Sequence, residues 1–107
     1  MYSCAKTKPT RSRSYRMWVA SLPCINCGIS GYSQCAHANG GGMGTKDCDL
    51  RTFPLCATRP GDMGCHMRFD LCVEMSKAAR RELTERYVER TQKLAREVGR
   101  PEFMEAA

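Results

Sequence analysis

Large apolar surface is what this sequence lacks. Its 107 residues include one Trp, four Tyr and three Phe, and a chain this short buries a limited fraction of its surface on folding. No stretch is long and apolar enough to cross a bilayer. Met1 to Pro9 contain no apolar run of the kind at the centre of a secretory leader. The eight cysteines are therefore expected to work reduced, in a cytosol, and not as a disulfide scaffold. Histidine is scarce, with only His37 and His66 in the chain. There is no internal repeat and nothing marks a second domain. Acid is missing from residues 1–23, which carry Lys6, Lys8, Arg11, Arg13 and Arg16 and so hold five of the six net positive charges. Residues 24–73 balance four bases against four acids, and residues 74–107 set eight bases against seven acids. The excess is a basic N-terminal arm, expected to be flexible over residues 1–16 and able to neutralise nucleic-acid phosphates with release of counterions. The plainer reading of the same residues is a solvated tail.

What is present is cysteine in pairs. Cys24-Ile25-Asn26-Cys27 has the C-x2-C spacing with which a tight turn aims two thiolates at one ion, and Cys56 with Cys65 supplies a second pair to complete a tetrahedron around zinc. That second pair is loose, with eight residues between its members, and Cys35 or Cys48 stands as a substitute for Cys56. A structural zinc would add roughly 10–16 kcal/mol of apparent folding free energy and offset the thin core. Cys4, Cys35, Cys48 and Cys72 have no ligand spacing of their own and are expected as buried free thiols.

The expected order of elements begins with a short helix or extended run over 15–22, ended by Pro23. A knuckle at 23–28 leads to a strand over 31–38 carrying His37, then to a glycine-rich loop containing Lys46. A second strand over 50–55 delivers Cys56, a loop covers 57–64, and a helix covers 65–72. Trp18 is expected in the core. A long helix is expected over 76–98, with Met75, Ala79, Leu83, Tyr87, Thr91, Leu94 and Val98 as its apolar stripe, ended by Gly99 and Pro101. The zinc ligands are expected outside the strands, with the histidines pointing between them. The fold class is a small α+β zinc-stapled domain over residues 17–107, behind the arm.

A histidine at the end of one strand and another just inside a following helix are parts of a metal-assisted phosphodiesterase. Neutral imidazole can take a proton from water, and a second imidazole can hold a divalent cation that polarises the phosphate. His66 and Asp70 are an i,i+4 pair on one helix face, so both can reach one ion. The plainer reading makes His66 the fourth zinc ligand and His37 a loop residue. Lys46 adds a point charge beside the glycine-rich loop, which lacks the spacing of a nucleotide-binding P-loop. That excludes NTP binding by this route.

Taken in order, Cys24-x2-Cys27, Ala36-His37, Gly44-Thr45-Lys46, Asp49, Pro54-Leu55-Cys56, Cys65-His66 and Asp70 resemble phage-encoded HNH (His-Me finger) nucleases. The nearest likenesses are the Ref-like recombination-enhancement nucleases and the YbcO-type prophage nucleases, over about residues 22–72. The resemblance implies a ββα-metal core, a structural zinc on Cys24, Cys27, Cys56 and Cys65, and hydrolysis of DNA phosphodiester bonds with a divalent metal. Mg²⁺ or Mn²⁺ is the implied catalytic metal, with Zn²⁺ a further candidate. His37 matches the family's general base and His66 its metal-binding histidine. Asp49 stands where the family often has a polar residue that orients the base, with metal ligation as its other role. Asp70 stands where this subgroup has a further His or Asp, and is a candidate metal ligand. Many members carry Asp or His just before the base, where this chain has Ala36, so Asp70 or Asp49 must compensate.

DNA is the expected partner, contacted by Lys6, Lys8, Arg11, Arg13, Arg16 and Lys46. A recombinase or another phage or host DNA-processing protein is a candidate second partner; no membrane is involved, and the expected setting is a bacterial cytoplasm. The alternative, from a different class, is a non-catalytic zinc module that binds nucleic acid or a protein partner. The sequence leaves the oligomeric state open.

Overall fold

The computed structural model describes residues 10–38 and 48–103. Lys6, Lys8, Cys4, Lys46 and the glycine-rich loop named above lie outside the described residues. The first element is a helix, α1, over Arg13–Ala20. Ser12 starts it: its backbone is extended, and its hydroxyl accepts from the Tyr15 N–H at 3.1 Å, satisfying one of the free donors of a helix start. Tyr15 and Val19, one turn apart, are its buried residues. The expected boundary between arm and domain, at residues 16 and 17, falls inside this helix. The chain is fastened from residue 10 onward, because the Thr10 carbonyl accepts from the Asp49 N–H at 2.9 Å and the Ser12 N–H donates to Asp49 at 2.8 Å.

Strands β1, Ser33–His37, and β2, Thr52–Cys56, pair antiparallel, with Ser33 opposite Cys56 and His37 opposite Thr52. Every residue of β2 is buried, as happens when both faces of a sheet are covered. On one face Ala36, Phe53 and Leu55 pack with Phe69, Tyr87 and Val88. On the other, Cys35 packs against Tyr15, Val19, Cys48, Leu50 and Ala95. The few aromatics are concentrated at these two centres: Phe53 lies 5.5 Å from Phe69 and 5.4 Å from Tyr87, ring centre to ring centre. Trp18 packs at the edge of the second cluster, beside Tyr15. Pro54 cannot donate to a neighbouring strand, and its carbonyl instead accepts from the Ile25 N–H at 2.9 Å. That bond ties the cysteine knuckle to the sheet. Cys35 and Cys72 are free thiols, whereas Cys48 is disulfide-bonded, which corrects the expectation for that residue.

Helix α2, Cys65–Asp70, ends two residues earlier than expected. The reason is the turn into the next helix, where Cys72 and Glu74 take left-handed φ values of 53° and 61°. Helix α3, Lys77–Glu97, starts on the hydroxyl of Ser76 and stops at Val98, before Gly99 at φ +78°. Its ends match the expectation, and its buried face does so in part, at Tyr87 and Thr91, with Leu83 packed against the core. Tyr87, Val88, Thr91, Gln92 and Ala95 are buried, while Ala79, Leu94 and Val98 are exposed. The face turns because Gln92 enters the interior and donates to the Leu50 carbonyl at 2.7 Å. Of the zinc-ligand candidates, expected outside the strands, Cys56 is inside one as the last residue of β2, while Cys65 opens α2 as expected. No helix among the described residues is long and apolar enough to cross a membrane.

Candidate functional site

The knuckle closes on itself. The Gly28 N–H donates to the Cys24 carbonyl at 2.9 Å with Gly28 at φ +82°, and the Cys27 N–H points at Cys24 Sγ, 3.5 Å away. The loose second pair closes by a different device. Arg59 and Asp62 exchange two backbone hydrogen bonds of 2.9 Å, and Asp62 Oδ1 accepts from the Gly64 N–H at 2.8 Å. Gly64 is pressed so closely on Cys56 and Ala57 that a Cβ would come within 2.6 Å of the Ala57 backbone and 2.8 Å of the Cys56 carbonyl oxygen. Folded this way, the eight-residue loop returns Cys65 with its N–H 3.2 Å from Cys56 Sγ.

The sulfurs of Cys24, Cys27, Cys56 and Cys65 all lie within 4.8 Å of one another, and Cys27 and Cys56 are 3.8 Å apart. Tetrahedral zinc with bonds of about 2.3 Å holds its sulfurs about 3.8 Å apart. Donor type and spacing therefore fit a structural metal such as zinc. Cys35 and Cys48 belong to the α1 cluster and neither replaces Cys56. Four cysteines fill a tetrahedron, so His66 is not needed as a zinc ligand.

Charge in the cluster favours a cation, because neighbouring thiolates oppose one another's ionisation. Burial pushes Cys65 up to about 12, helped by Cys56 and Cys24 and opposed by Asn26. Burial opposes ionisation of Cys56 as well, but the Arg59 guanidinium and the Cys65 N–H outweigh it and bring that thiol down to about 6. Asn26 Nδ2 donates to Cys65 Sγ at 3.3 Å, and Asn26 Oδ1 accepts from the Tyr87 hydroxyl at 3.0 Å. Helix α3 thus reaches the sulfur cluster through one amide. Sequence reasoning missed Asn26 and Arg59, whose only signal is that one lies inside the C-x2-C turn and the other three residues after Cys56.

Gly64→Ala is expected to cost about 1–3 kcal/mol from its left-handed backbone alone, with the clash against Ala57 added. The variant should lose zinc to a competing chelator faster than the parent. Equal retention and equal stability would show that the loop closes without that contact.

His37 ends β1, and Asp49, 1% exposed, lies against it. Asp49 Oδ1 accepts from His37 Nε2 at 2.9 Å. A carboxylate can only accept, so the neutral imidazole carries its proton on Nε2 and keeps Nδ1 free. Asp49 Oδ2 accepts from the Ser12 N–H at 2.8 Å and pairs with Arg16 Nε at 3.1 Å, while Arg11 stands 3.6 Å from Oδ1. Both carboxylate oxygens are engaged, which suits orientation of His37 and not metal ligation. Burial pushes this carboxyl up, but the His37 bond, the Ser12 N–H and Arg16 together hold it below the usual carboxylate range. Of the basic residues expected to meet DNA, Arg11 and Arg16 share Asp49, and Arg13 is exposed on the first turn of α1.

The pH consequence follows from the sign of that shift. A carboxyl depressed in the folded state stabilises above its unfolded value and loses this as pH falls through the folded one. Asp49→Asn is expected to cost about 1.5–3 kcal/mol near neutrality, with the gap to the parent narrowing in acid below the ordinary carboxylate range. Urea unfolding of both zinc-loaded proteins measures it, since the zinc contribution is common to the pair. A gap that stays constant into acid would deny the charge on Asp49 any such part.

His66 lies in the first turn of α2. Its Nδ1 is 2.9 Å from Gln34 Oε1, and its Nε2 is 3.6 Å from Asp70 Oδ2. Gln34, Thr58, His66, Met67, Asp70 and Leu71 line a cleft of about 360 Å³. Alternation along β1 sets Gln34 and His37 on opposite faces. Among the described residues no hydrogen bond or ion pair joins the two histidines. Each has its own partners.

These features define a small α+β protein with a cysteine cluster able to hold a structural metal. The chain belongs to the DUF968 family, described as a protein of unknown function, whose model matches residues 2–68. The matched segment spans both cysteine pairs, His37, Asp49 and His66, and stops short of Asp70 and α3. No curated protein and no solved structure matches the chain.

Proposed function

We propose that this protein is a metal-dependent endonuclease of the HNH (His-Me finger, ββα-metal) kind that hydrolyses phosphodiester bonds in DNA. The observation that carries the reading is the His37–Asp49 pair: an imidazole held through Nε2 by a buried carboxylate at 2.9 Å, which leaves Nδ1 unprotonated. Nδ1 can take a proton from a water attacking phosphorus, and Asp49 stabilises the imidazolium that forms. The element order β1, β2, α2, with His37 at the end of the first strand and His66 at the start of the helix, is that of a ββα-metal core, although the pleat of β1 turns His37 to the face opposite Gln34, the partner of His66. Zinc on Cys24, Cys27, Cys56 and Cys65 staples β2 to α2 and keeps His66 in place. His66 and Asp70 would hold Mg²⁺ or Mn²⁺, which when bound neutralises charge on the phosphate and its leaving oxygen. Arg11, Arg13 and Arg16, with Lys6, Lys8 and Lys46, supply charge for flanking phosphates. Recombination or other DNA processing by a phage or prophage, in a bacterial cytoplasm, is the setting that goes with this reading.

One observation favours the rival, a zinc module that binds nucleic acid or protein without cutting. Ala36, before the candidate base, is buried and has no donor atom. Zinc-loaded protein incubated with single- and double-stranded DNA, with Mg²⁺, with Mn²⁺ and with neither, separates the two. Cleavage that needs the added ion is the expected result. DNA binding with no cleavage under any of these conditions would decide for the rival.

A further inference from the structure

Gln34 lies on β1 on the same face as Ala36, two residues away, and that face looks toward α2. Its amide oxygen meets His66 Nδ1 at 2.9 Å. An amide oxygen has no proton to give, so the imidazole must donate there, and the lone pair is left on Nε2. Nε2 faces Asp70 Oδ2 at 3.6 Å, too far for a hydrogen bond. Two neighbouring ligands each about 2.1 Å from a Mg²⁺-sized octahedral cation stand about 3.0 Å apart, so the exposed Asp70 side chain must close on Nε2 by a few tenths of an ångström to share an ion with it. The backbone of His66 is set by its neighbour Cys65, a member of the sulfur cluster. Gln34 supplies the hydrogen bond that orients the ring, among the described residues. Histidines that bind metals almost always give their other N–H to such an acceptor.

We infer that Gln34 is a positioning residue, whose side-chain carbonyl holds His66 as the Nδ1–H tautomer and so makes Nε2 and Asp70 a binding edge for a hard divalent cation. The inference deepens the nuclease reading and rests on it for its use, while its test does not require cleavage. Zinc-loaded parent, Gln34→Leu and Gln34→Glu are titrated with Mn²⁺, read by the EPR signal of the free ion. The tautomer of His66 is read from its ring ¹⁵N shifts before the ion is added. The parent should show Nδ1–H at His66 and bind Mn²⁺. Gln34→Leu should lose the Nδ1–H preference and bind about 10–100-fold more weakly, and Gln34→Glu, which keeps an acceptor, should retain both.

An Nε2–H tautomer in the parent, no Mn²⁺ binding by the parent, or parent-like binding by Gln34→Leu would each overturn the inference. Should Gln34→Leu lose its zinc, Gln34→Glu decides: the Nδ1–H form with Mn²⁺ bound supports the inference, and its loss overturns it. Mn²⁺ binding that depends on Gln34 in a protein that cuts no DNA would sink the nuclease reading and leave this inference standing. A nuclease whose Mn²⁺ affinity ignores Gln34 would do the reverse.

Discussion

Cys24→Ser is expected to release the metal and unfold the chain. Cys24 is 3% exposed and belongs to the larger core cluster, so its sulfur serves both the metal group and the packing. The four sulfurs join three separate places in the fold: the knuckle, the end of β2 and the start of α2. Zinc binding in small sites contributes roughly 10–16 kcal/mol of apparent free energy, against about 5–15 kcal/mol of net stability for a whole domain. A core with one Trp and three Phe has little with which to replace it. Elemental analysis should find one zinc per chain in the parent and none in Cys24→Ser, whose circular dichroism should be that of an unfolded chain. A strong chelator should reproduce the effect on the parent. Cys35→Ser, outside the sulfur group, should keep its zinc. A parent that is folded and free of zinc would refute the role given to the four cysteines.

His37→Ala carries the second large effect. Removing a positioned general base typically costs about 10²–10⁴-fold in rate, and the loss here should fall on single-turnover cleavage at saturating protein. Zinc content should stay near the parent's, because His37 does not touch the sulfur group, and saturating protein removes any change in DNA affinity through Arg11 and Arg16 from the rate. Asp49→Asn should lose less rate than His37→Ala, since the amide oxygen can still accept from Nε2 while the countercharge to an imidazolium is gone. Cleavage that survives His37→Ala undiminished would remove His37 as the base and take the main support of the proposed reaction with it.

Some of this was legible in the chain alone. The C-x2-C turn and both histidines stand out by residue type and spacing, while Asp49 enters only through its place in the HNH resemblance. Ser76 and Gly99 mark the ends of α3, because a cap and a left-handed stop act on their own covalent neighbourhood. The strands fell close to expectation for the same short-range reason.

Other features depend on groups far apart in sequence, and only the tertiary structure decided them. The wide spacing from Cys56 to Cys65 put Cys56 in doubt until the Arg59–Asp62 pairing and the close approach of Gly64 showed how the loop shortens it. Apolar periodicity found Tyr87 and Thr91 on the buried face of α3 but not Val88, Gln92 or Ala95. Gln92 is tolerated inside because the Leu50 carbonyl, 42 residues away, accepts from it, and a buried polar group is affordable only when its partner is there. Arg11 and Arg16 read as an arm beyond the domain, yet the interior carboxylate of Asp49 draws them in. The sequence determined which side chains are candidates for chemistry; that His37 meets Asp49 and His66 meets Gln34 was decided by the folding of the sheet against α1 and α2.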